Sequence, residues 1–392
     1  MIKVLELFGG IGACSKALKR LKIDYEIADY VEIDKYAVKS FNAIHNTNFE
    51  PQDICNWNKD IEVDLIMHGS PCQDFSLAGK QAGGDKDSGT RSSLMYETVR
   101  IVEKLKPKYV IWENVKNLLS KKHIHNFEAY LQTMERLGYK NYYQVLNAKD
   151  YGIPQNRERV FTVSIRNDID KKFIFPEKQL LKLKLKDILE DEVDKKYYLS
   201  NKQLNYILDM KDVALKSGRN INERIVNPQI AKTISCRGAT DQRADVTNFT
   251  IDNCNEELKV KDVKQFISNK YKNFIEENGY IPEMFNPYNT SEIKDIAPTQ
   301  TTQCGSTTSS ATVLKHEALR IRKLTPKECW RLMGFDDEDF EKASKVNSNT
   351  QLYKQAGNSI VVNVLVEILK KLILTEEIEK EKKQWHKSNL KE

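Results

Sequence analysis

Four side chains carry the chemistry latent in this sequence: Cys72, Glu113, Arg157 and Arg159. Cys72 stands directly after Pro71, at the end of the apolar run Val63-Asp64-Leu65-Ile66-Met67, which reads as a buried parallel strand. Proline ends strand pairing, so the thiol is presented at the strand's carboxyl end, the edge where ligands collect in open α/β sheets. A deprotonated thiol there is a nucleophile; a lone cysteine is equally a small core hydrophobe. Glu113 follows a second such strand, Pro107-Lys108-Tyr109-Val110-Ile111-Trp112. A carboxyl at the end of a buried strand is costly unless it is paired with a cation or used. Parallel strand ends converge on one face, so Glu113 and Cys72 can face one substrate. Arg157 and Arg159, at i and i+2 in Tyr151-Gly152-Ile153-Pro154-Gln155-Asn156-Arg157-Glu158-Arg159, share one face of an extended segment. Such a fork holds a carbonyl oxygen or a phosphate, or else a structural Arg–Glu network.

The elements that must position these groups begin at the N-terminus. Val4-Leu5-Glu6-Leu7-Phe8 is a short strand, Gly9-Gly10-Ile11-Gly12 a turn, and Ala13, Ala17, Leu18 and Leu21 the inner face of a helix. This order lets a ligand approach bare backbone at a helix N-terminus. A second strand, Tyr25 to Val31, ends at Glu32, where an acid can accept both hydroxyls of a ribose. The dinucleotide fingerprint would want glycine at position 15; Ser15 stands there, so the cradle suits a nucleoside better than a pyrophosphate. Asp53-Ile54 lies where a third strand should end; its acid could accept an adenine amino group, cap a helix or sit in an exposed loop. Residues 74 to 93 hold Gly79, Gly83, Gly84 and Gly89 among Lys80, Lys86 and Arg91, the composition of a hinged, phosphate-meeting loop or of ordinary surface. Leu94 begins a helical pattern running through Leu105, Glu128 to Leu137 is a helix capped by Gly138, and Gln144–Asn147 and Val160–Ile165 are the last strands.

From Arg166 to about Lys315 the chain is rich in Lys, Asn, Asp and Thr, with helical period in 178–193 and 200–215 and otherwise the look of a small β-rich region with polar loops. Arg237, Gln242, Arg243, Gln300 and Gln303 are its candidate nucleic-acid contacts, since such side chains hydrogen-bond base edges and phosphates. Thr325-Pro326-Lys327-Glu328 is a capping box with proline at the first helical position. Gln355-Ala356-Gly357-Asn358-Ser359 precedes an amphipathic helix, and 375–392 is a charged tail. The 392 residues, 30% charged and 40% hydrophobic with net charge +6, suggest roughly two domains of ~150 residues each and tolerate a polyanionic partner. The seven cysteines show neither a disulfide framework nor a zinc spacing. No run approaches the ~18 apolar residues of a membrane span, so a cytoplasmic protein without metal is expected.

Phe8-Gly9-Gly10-Ile11-Gly12, Glu32, Asp53, Gly69-Ser70-Pro71-Cys72-Gln73, Glu113-Asn114-Val115 and Gln155-x-Arg157-x-Arg159 stand in the order found in C5-cytosine-specific DNA methyltransferases of bacterial or phage type. The chain resembles that family over about residues 1–165 and 320–372. The resemblance implies an α/β fold with a doubly wound, mostly parallel sheet of the S-adenosylmethionine-dependent methyltransferase type, plus a smaller irregular β-containing recognition domain. It implies a catalytic and cofactor-binding domain at 1–165, target recognition at 166–319, a connecting segment at 320–345 and a returning helix at 346–374. The cofactor is S-adenosyl-L-methionine, held by Phe8, Gly9, Gly10, Gly12, Glu32, Ile33, Asp53, Ile54, Leu94, Asn358 and Ser359. Lys80 and Arg91 of the closing loop join the recognition residues on double-stranded DNA, and the protein is expected to be a monomer. In the chemistry so implied, Cys72 adds to C6 of a flipped cytosine, Glu113 donates to N3, Arg159 holds O2, and Arg157 holds the site or the backbone. The alternatives are an RNA-directed relative, which would carry a Cys-Phe-Thr motif absent here, and a non-catalytic DNA-binding protein, which would not need Cys72, Glu113 and Arg159 together.

Overall fold

A computed structural model describes residues 1–71, 91–198, 249–251, 272–278, 284–286, 291–292, 297–298, 314–315 and 321–374. The chain divides into two compact units. The first comprises Met1–Asn147, Glu158–Gln179 and Ile360–Glu392, the second Ala148–Arg157 and Leu180–Ser359.

The first unit is built on six strands: β1 (Ile2–Leu7), β2 (Tyr25–Val31), β3 (Leu65–His68), β4 (Tyr109–Val115), β5 (Tyr139–Asn147) and β6 (Glu158–Arg166). Their spatial order is β2-β1-β3-β4-β6-β5. Pairings from β2 through β4 are parallel, and β6 runs antiparallel to both β4 and β5. The sheet is thus mostly parallel, as the sequence pattern implies. Helices α1 (Ala13–Arg20), α2 (Lys35–His45), α3 (Met95–Leu105), α4 (Ile124–Arg136) and α8 (Val362–Leu369) cover it. Alternation along β1 shows that they lie on both faces. Leu5 and Leu7 pack with Met95, Val102, Phe127 and Tyr130 of α3 and α4, whereas Glu6 points the other way, to Ser15 of α1. Helix α8 packs along α1, where Arg20 donates to Asn363 at 2.9 Å.

The second unit holds α5 (Pro326–Arg331), α6 (Asp337–Ser344) and α7 (Asn349–Asn358) with short strands. Met284–Asn286 pairs antiparallel with Ser291–Glu292 and with Leu314–Lys315, and Ile321–Lys323 pairs with Phe249–Ile251. Helix α5 carries the expected capping box: Thr325 accepts from the Glu328 N–H, and Glu328 accepts from the Thr325 N–H.

Three expectations are corrected. No strand ends at Asp53; the residue opens a 3₁₀ turn, Ile54–Asn56, and β3 is the 65–68 run instead. The stretch 178–193 forms only a 3₁₀ turn at Leu185–Ile188. Its Leu-Lys alternation has a period of two, which favours extended chain over helix, and Leu180 is 84% exposed. The single helix expected over 346–374 is two: α7 ends at Asn358, with Ser359 as its C-cap, and α8 begins at Val362. The helical stretch proposed for 200–215 lies outside the described residues.

Candidate active site

Two groups of expected residues form coherent sites in the first unit. The first is the glycine turn after β1. Gly10 and Gly12 have φ of +56° and +80°, values that favour glycine. A Cβ on Gly12 would strike the Phe41 ring at 2.7 Å, so close packing against α2 also requires glycine there. Gly10 differs: nothing lies within 4 Å of where its Cβ would be, so its backbone faces open space. Phe8 takes φ +52°, a strained conformation for a residue with a side chain, of order 1–3 kcal/mol, held at the strand end. Glu32 closes the cradle. One carboxylate oxygen accepts the Gly10 N–H at 3.1 Å and the other the Asp34 N–H at 2.8 Å; burial pushes its carboxyl above the usual range. Beside it Ile33 is 69% exposed, an apolar side chain in solvent.

The N-terminus of α1, where a pyrophosphate would sit, is already taken. Glu6, 2% exposed, accepts the Ser15 N–H at 2.9 Å and the Ser15 hydroxyl. Burial raises Glu6 to about 7. An acid in the anion position explains in physical terms why this turn suits a nucleoside and not a phosphate chain. Asp53 accepts the Cys55 N–H at 3.0 Å and is exposed, while Ile54 is buried. Leu94 ends a 3₁₀ turn, Arg91–Leu94, and packs against the core.

The second group lies at the ends of β3, β4 and β6. Antiparallel register puts Glu113 opposite Phe161 and Val115 opposite Arg159, so Glu113 and Arg159 are diagonal neighbours on one face. Arg159 Nε lies 3.0 Å from Glu113 Oε1. Glu113 Oε1 is buried and receives no aligned hydrogen bond among the described residues, so the contact is an ion pair without saturation. A Cβ on Gly69 would lie 3.9 Å from Glu113 Oε2, which brings the Gly69-Ser70-Pro71 segment beside this carboxylate. That segment is held from β4: Trp112 Nε1 donates to Ser70 Oγ at 2.9 Å, and Asn114 Nδ2 to the Ser70 carbonyl at 3.4 Å. Below it His68, fully buried, lies 3.2 Å from the Tyr130 hydroxyl and stacks parallel to Trp112; burial lowers its pKa to about 3 and keeps it neutral. Of the supports, Ser70 and Asn114 lie inside the Gly-Ser-Pro-Cys-Gln and Glu-Asn-Val motifs, whereas the roles of Trp112 and His68 had no signal in the sequence beyond their strands.

Arg157 takes a different place. It is 4% exposed in the second unit, and its guanidinium donates to the carbonyls of Gly357 at 3.2 Å and Ser359 at 2.9 Å. It holds the end of α7, while Arg159 pairs with Glu113. Cys72, Lys80, Arg237, Gln242, Arg243, Gln300 and Gln303 lie outside the described residues, as does the Arg91 side chain. Among the described residues no helix is long and apolar enough to cross a membrane.

A family model for C-5 cytosine-specific DNA methylase matches residues 2–374. The type II methyltransferase M2.ScrFI of Lactococcus lactis subsp. cremoris is 32% identical over 427 residues, covering 95% of this chain and 99% of that protein. The orphan methyltransferase M.SPRI of Bacillus phage SPR is 34% identical over 432 residues, covering 95% and 98%. Among solved structures, a Spodoptera frugiperda DNMT2 aligns with TM-score 0.59 at 20% identity, over 95% of this chain and 99% of that one, a likeness of fold. The chain belongs to the C-5 cytosine-specific DNA methylase family and is a DNA (cytosine-5-)-methyltransferase. A methyl donor and a DNA substrate follow from that membership.

Proposed function

We propose that the protein is a sequence-specific DNA cytosine C5-methyltransferase that uses S-adenosyl-L-methionine. The observation that carries this reading is the unsaturated Glu113–Arg159 pair beside Gly69-Ser70-Pro71, the segment leading into Cys72. The cradle fits an adenosyl group: Gly10 faces open space, Glu32 offers acceptors for ribose hydroxyls, Ile33 an apolar surface and Asp53 an acceptor for the base amine. When bound, S-adenosylmethionine supplies an electrophilic methyl group. Asn358 and Ser359 are further proposed contacts of that group.

The reacting cytosine leaves the duplex stack to reach the sheet edge. The Cys72 sulfur adds to C6, and the electron pair of the C5–C6 bond moves into the ring. Glu113 donates a proton at N3, and Arg159 binds O2 and stabilises the charge that develops. C5 thereby becomes nucleophilic. Transfer of the methyl group to C5 would break the donor's S–CH3 bond and leave a neutral thioether; loss of the C5 proton to water then re-forms the C5–C6 double bond, expels Cys72 as a thiolate and returns the N3 proton to Glu113. Trp112 and Asn114 act through Ser70 to hold the entry to Cys72, and Arg157 holds backbone. Residues 166–319 read the target sequence through Arg237, Gln242, Arg243, Gln300 and Gln303, with Lys80 and Arg91 on phosphates. The named relatives suggest a modification or phage self-protection enzyme, monomeric and cytoplasmic.

The test is trapping on 5-fluorocytosine DNA, where C5 cannot release a proton. The unaltered enzyme should form a covalent, denaturation-resistant adduct only when S-adenosylmethionine is present, and Cys72→Ala should form none. An adduct with Cys72→Ala removes Cys72 as nucleophile.

A further inference from the structure

The turn that carries Asp53 is held from both sides by polar contacts, buried on one side and half-buried on the other. On the strand side, Asp29 of β2, 2% exposed, accepts from Trp57 Nε1 at 2.7 Å and Gln52 Nε2 at 3.1 Å and pairs with Lys59 at 2.8 Å. On the helix side stands Arg100 of α3, one arginine within the apolar series Val99, Ile101 and Val102. A single nitrogen, Nη2, donates to the carbonyls of Ile54 and Trp57, each at 3.0 Å. The neighbouring Nε is held by Glu97, which accepts from it at 2.7 Å. The Ile54 carbonyl also accepts the Trp57 N–H at 3.2 Å, so the 3₁₀ turn closes on the same oxygen that Arg100 holds. The turn is three residues long and has no core of its own beyond Ile54. Its orientation therefore depends on these tethers.

We propose that Arg100 is a positioning residue for cofactor specificity: by gripping the Ile54 and Trp57 carbonyls it aims the Asp53 carboxylate at the exocyclic amine of the cofactor's base. The inference rests on the reading of Asp53 as the base-binding acid. It assigns Arg100 a role in discriminating adenine from a base with a carbonyl at that position, not in general affinity. Lysine does not reproduce the arrangement, because its single nitrogen lacks the second donor that Glu97 holds in the fixed plane of the guanidinium.

The experiment is calorimetric titration with S-adenosylhomocysteine and with S-inosylhomocysteine, in which a carbonyl oxygen replaces the amine. The unaltered enzyme should prefer the adenosyl ligand by at least tenfold. Arg100→Met, which keeps the aliphatic stem, should lose about tenfold in adenosyl affinity and change less than twofold toward the inosyl ligand. Equal losses for both ligands would make Arg100 a general structural residue and overturn the proposal, as would no loss for either. Should Arg100→Met melt before it can be titrated, Glu97→Met serves in its place: it removes the acceptor of Nε and should lower the adenosyl preference two- to threefold. An unchanged preference in Glu97→Met under those conditions also overturns the proposal. Failure of the unaltered enzyme to bind S-adenosylhomocysteine overturns the cofactor reading and this inference with it. Binding with no preference between the two ligands overturns this inference alone.

Discussion

Two arginine–glutamate pairs in this molecule use the same side chains for opposite ends. In the first unit, Arg159 touches Glu113 through one contact at 3.0 Å, with 15% and 11% of the two side chains exposed. In the second, Arg322 meets Glu328 through two contacts of 2.9 Å, with 0% of either exposed. Glu328 also accepts the Thr325 N–H at 2.7 Å and the Glu190 N–H at 2.8 Å. Its four acceptor positions are filled. Glu113 keeps acceptor capacity beside Gly69, on the path to the proposed nucleophile. A buried carboxylate that is saturated has nothing left to offer a substrate, whereas an unsaturated one carries a desolvation cost that only a ligand or a proton relieves. Saturation, not residue type, separates the joint from the site.

The largest effect expected from breaking this contrast is on rate. Glu113→Gln should lower single-turnover methylation by about 10²–10⁴-fold, the range for a proton donor, while the melting temperature stays close to that of the parent. A parental rate would place Glu113 among structural residues. Glu328→Gln should do the reverse. It leaves Arg322 buried and uncompensated, so urea unfolding should show a loss of about 3–5 kcal/mol. Methylation per folded molecule should persist. If Glu328→Gln melts like the parent, saturation is not what distinguishes the two pairs.

Glu6 sharpens the comparison, because it is a buried acid held by the Ser15 N–H and hydroxyl, with no ion pair to arginine among the described residues. Its carboxyl is raised from 4.5 to about 7, so the native state holds this proton more tightly than the unfolded chain. Its contribution to stability is full below pH 4.5 and is lost as pH rises through about 7, a decline of about 3 kcal/mol. Glu6→Gln, measured by urea unfolding across that range, should remove the decline. His68 contributes the opposite slope. Burial lowers it from 6.5 to about 3, so its contribution is present above 6.5 and is lost as pH falls through about 3. The parent's curve should therefore be flatter than that of Glu6→Gln, whose stability should rise with pH from about 3 to 6.5. The smallest effect is expected at Thr325. Thr325→Ala removes one cap of the saturated network and should cost about 1 kcal/mol, read from the shift in the urea midpoint. A shift as large as that of Glu328→Gln would show that the cap, not the ion pair, carries this joint.

What depends on neighbours along the chain was legible before any fold was known. The glycine turn after β1, Glu32 just past β2, the strand that leads into Gly69, the strand that carries Glu113, and the Thr325–Glu328 box all follow from short-range sterics, periodicity and capping. The proximity of Glu113 to the Gly69-Ser70-Pro71 segment was legible too, because parallel strands deliver their carboxyl ends to one edge. Tertiary structure decided which partner each buried polar group found. It put Arg159 on Glu113 and Arg157 on the end of α7, although the two are alike and two residues apart. It made Asp53 the cap of a turn rather than the end of a strand, and it enlisted Arg100, hidden in an apolar helical pattern, to hold that turn. Local propensity cannot encode these choices. A side chain's hydrogen-bond partner is set by whatever the fold brings within about 3 Å, and those groups are distant in sequence.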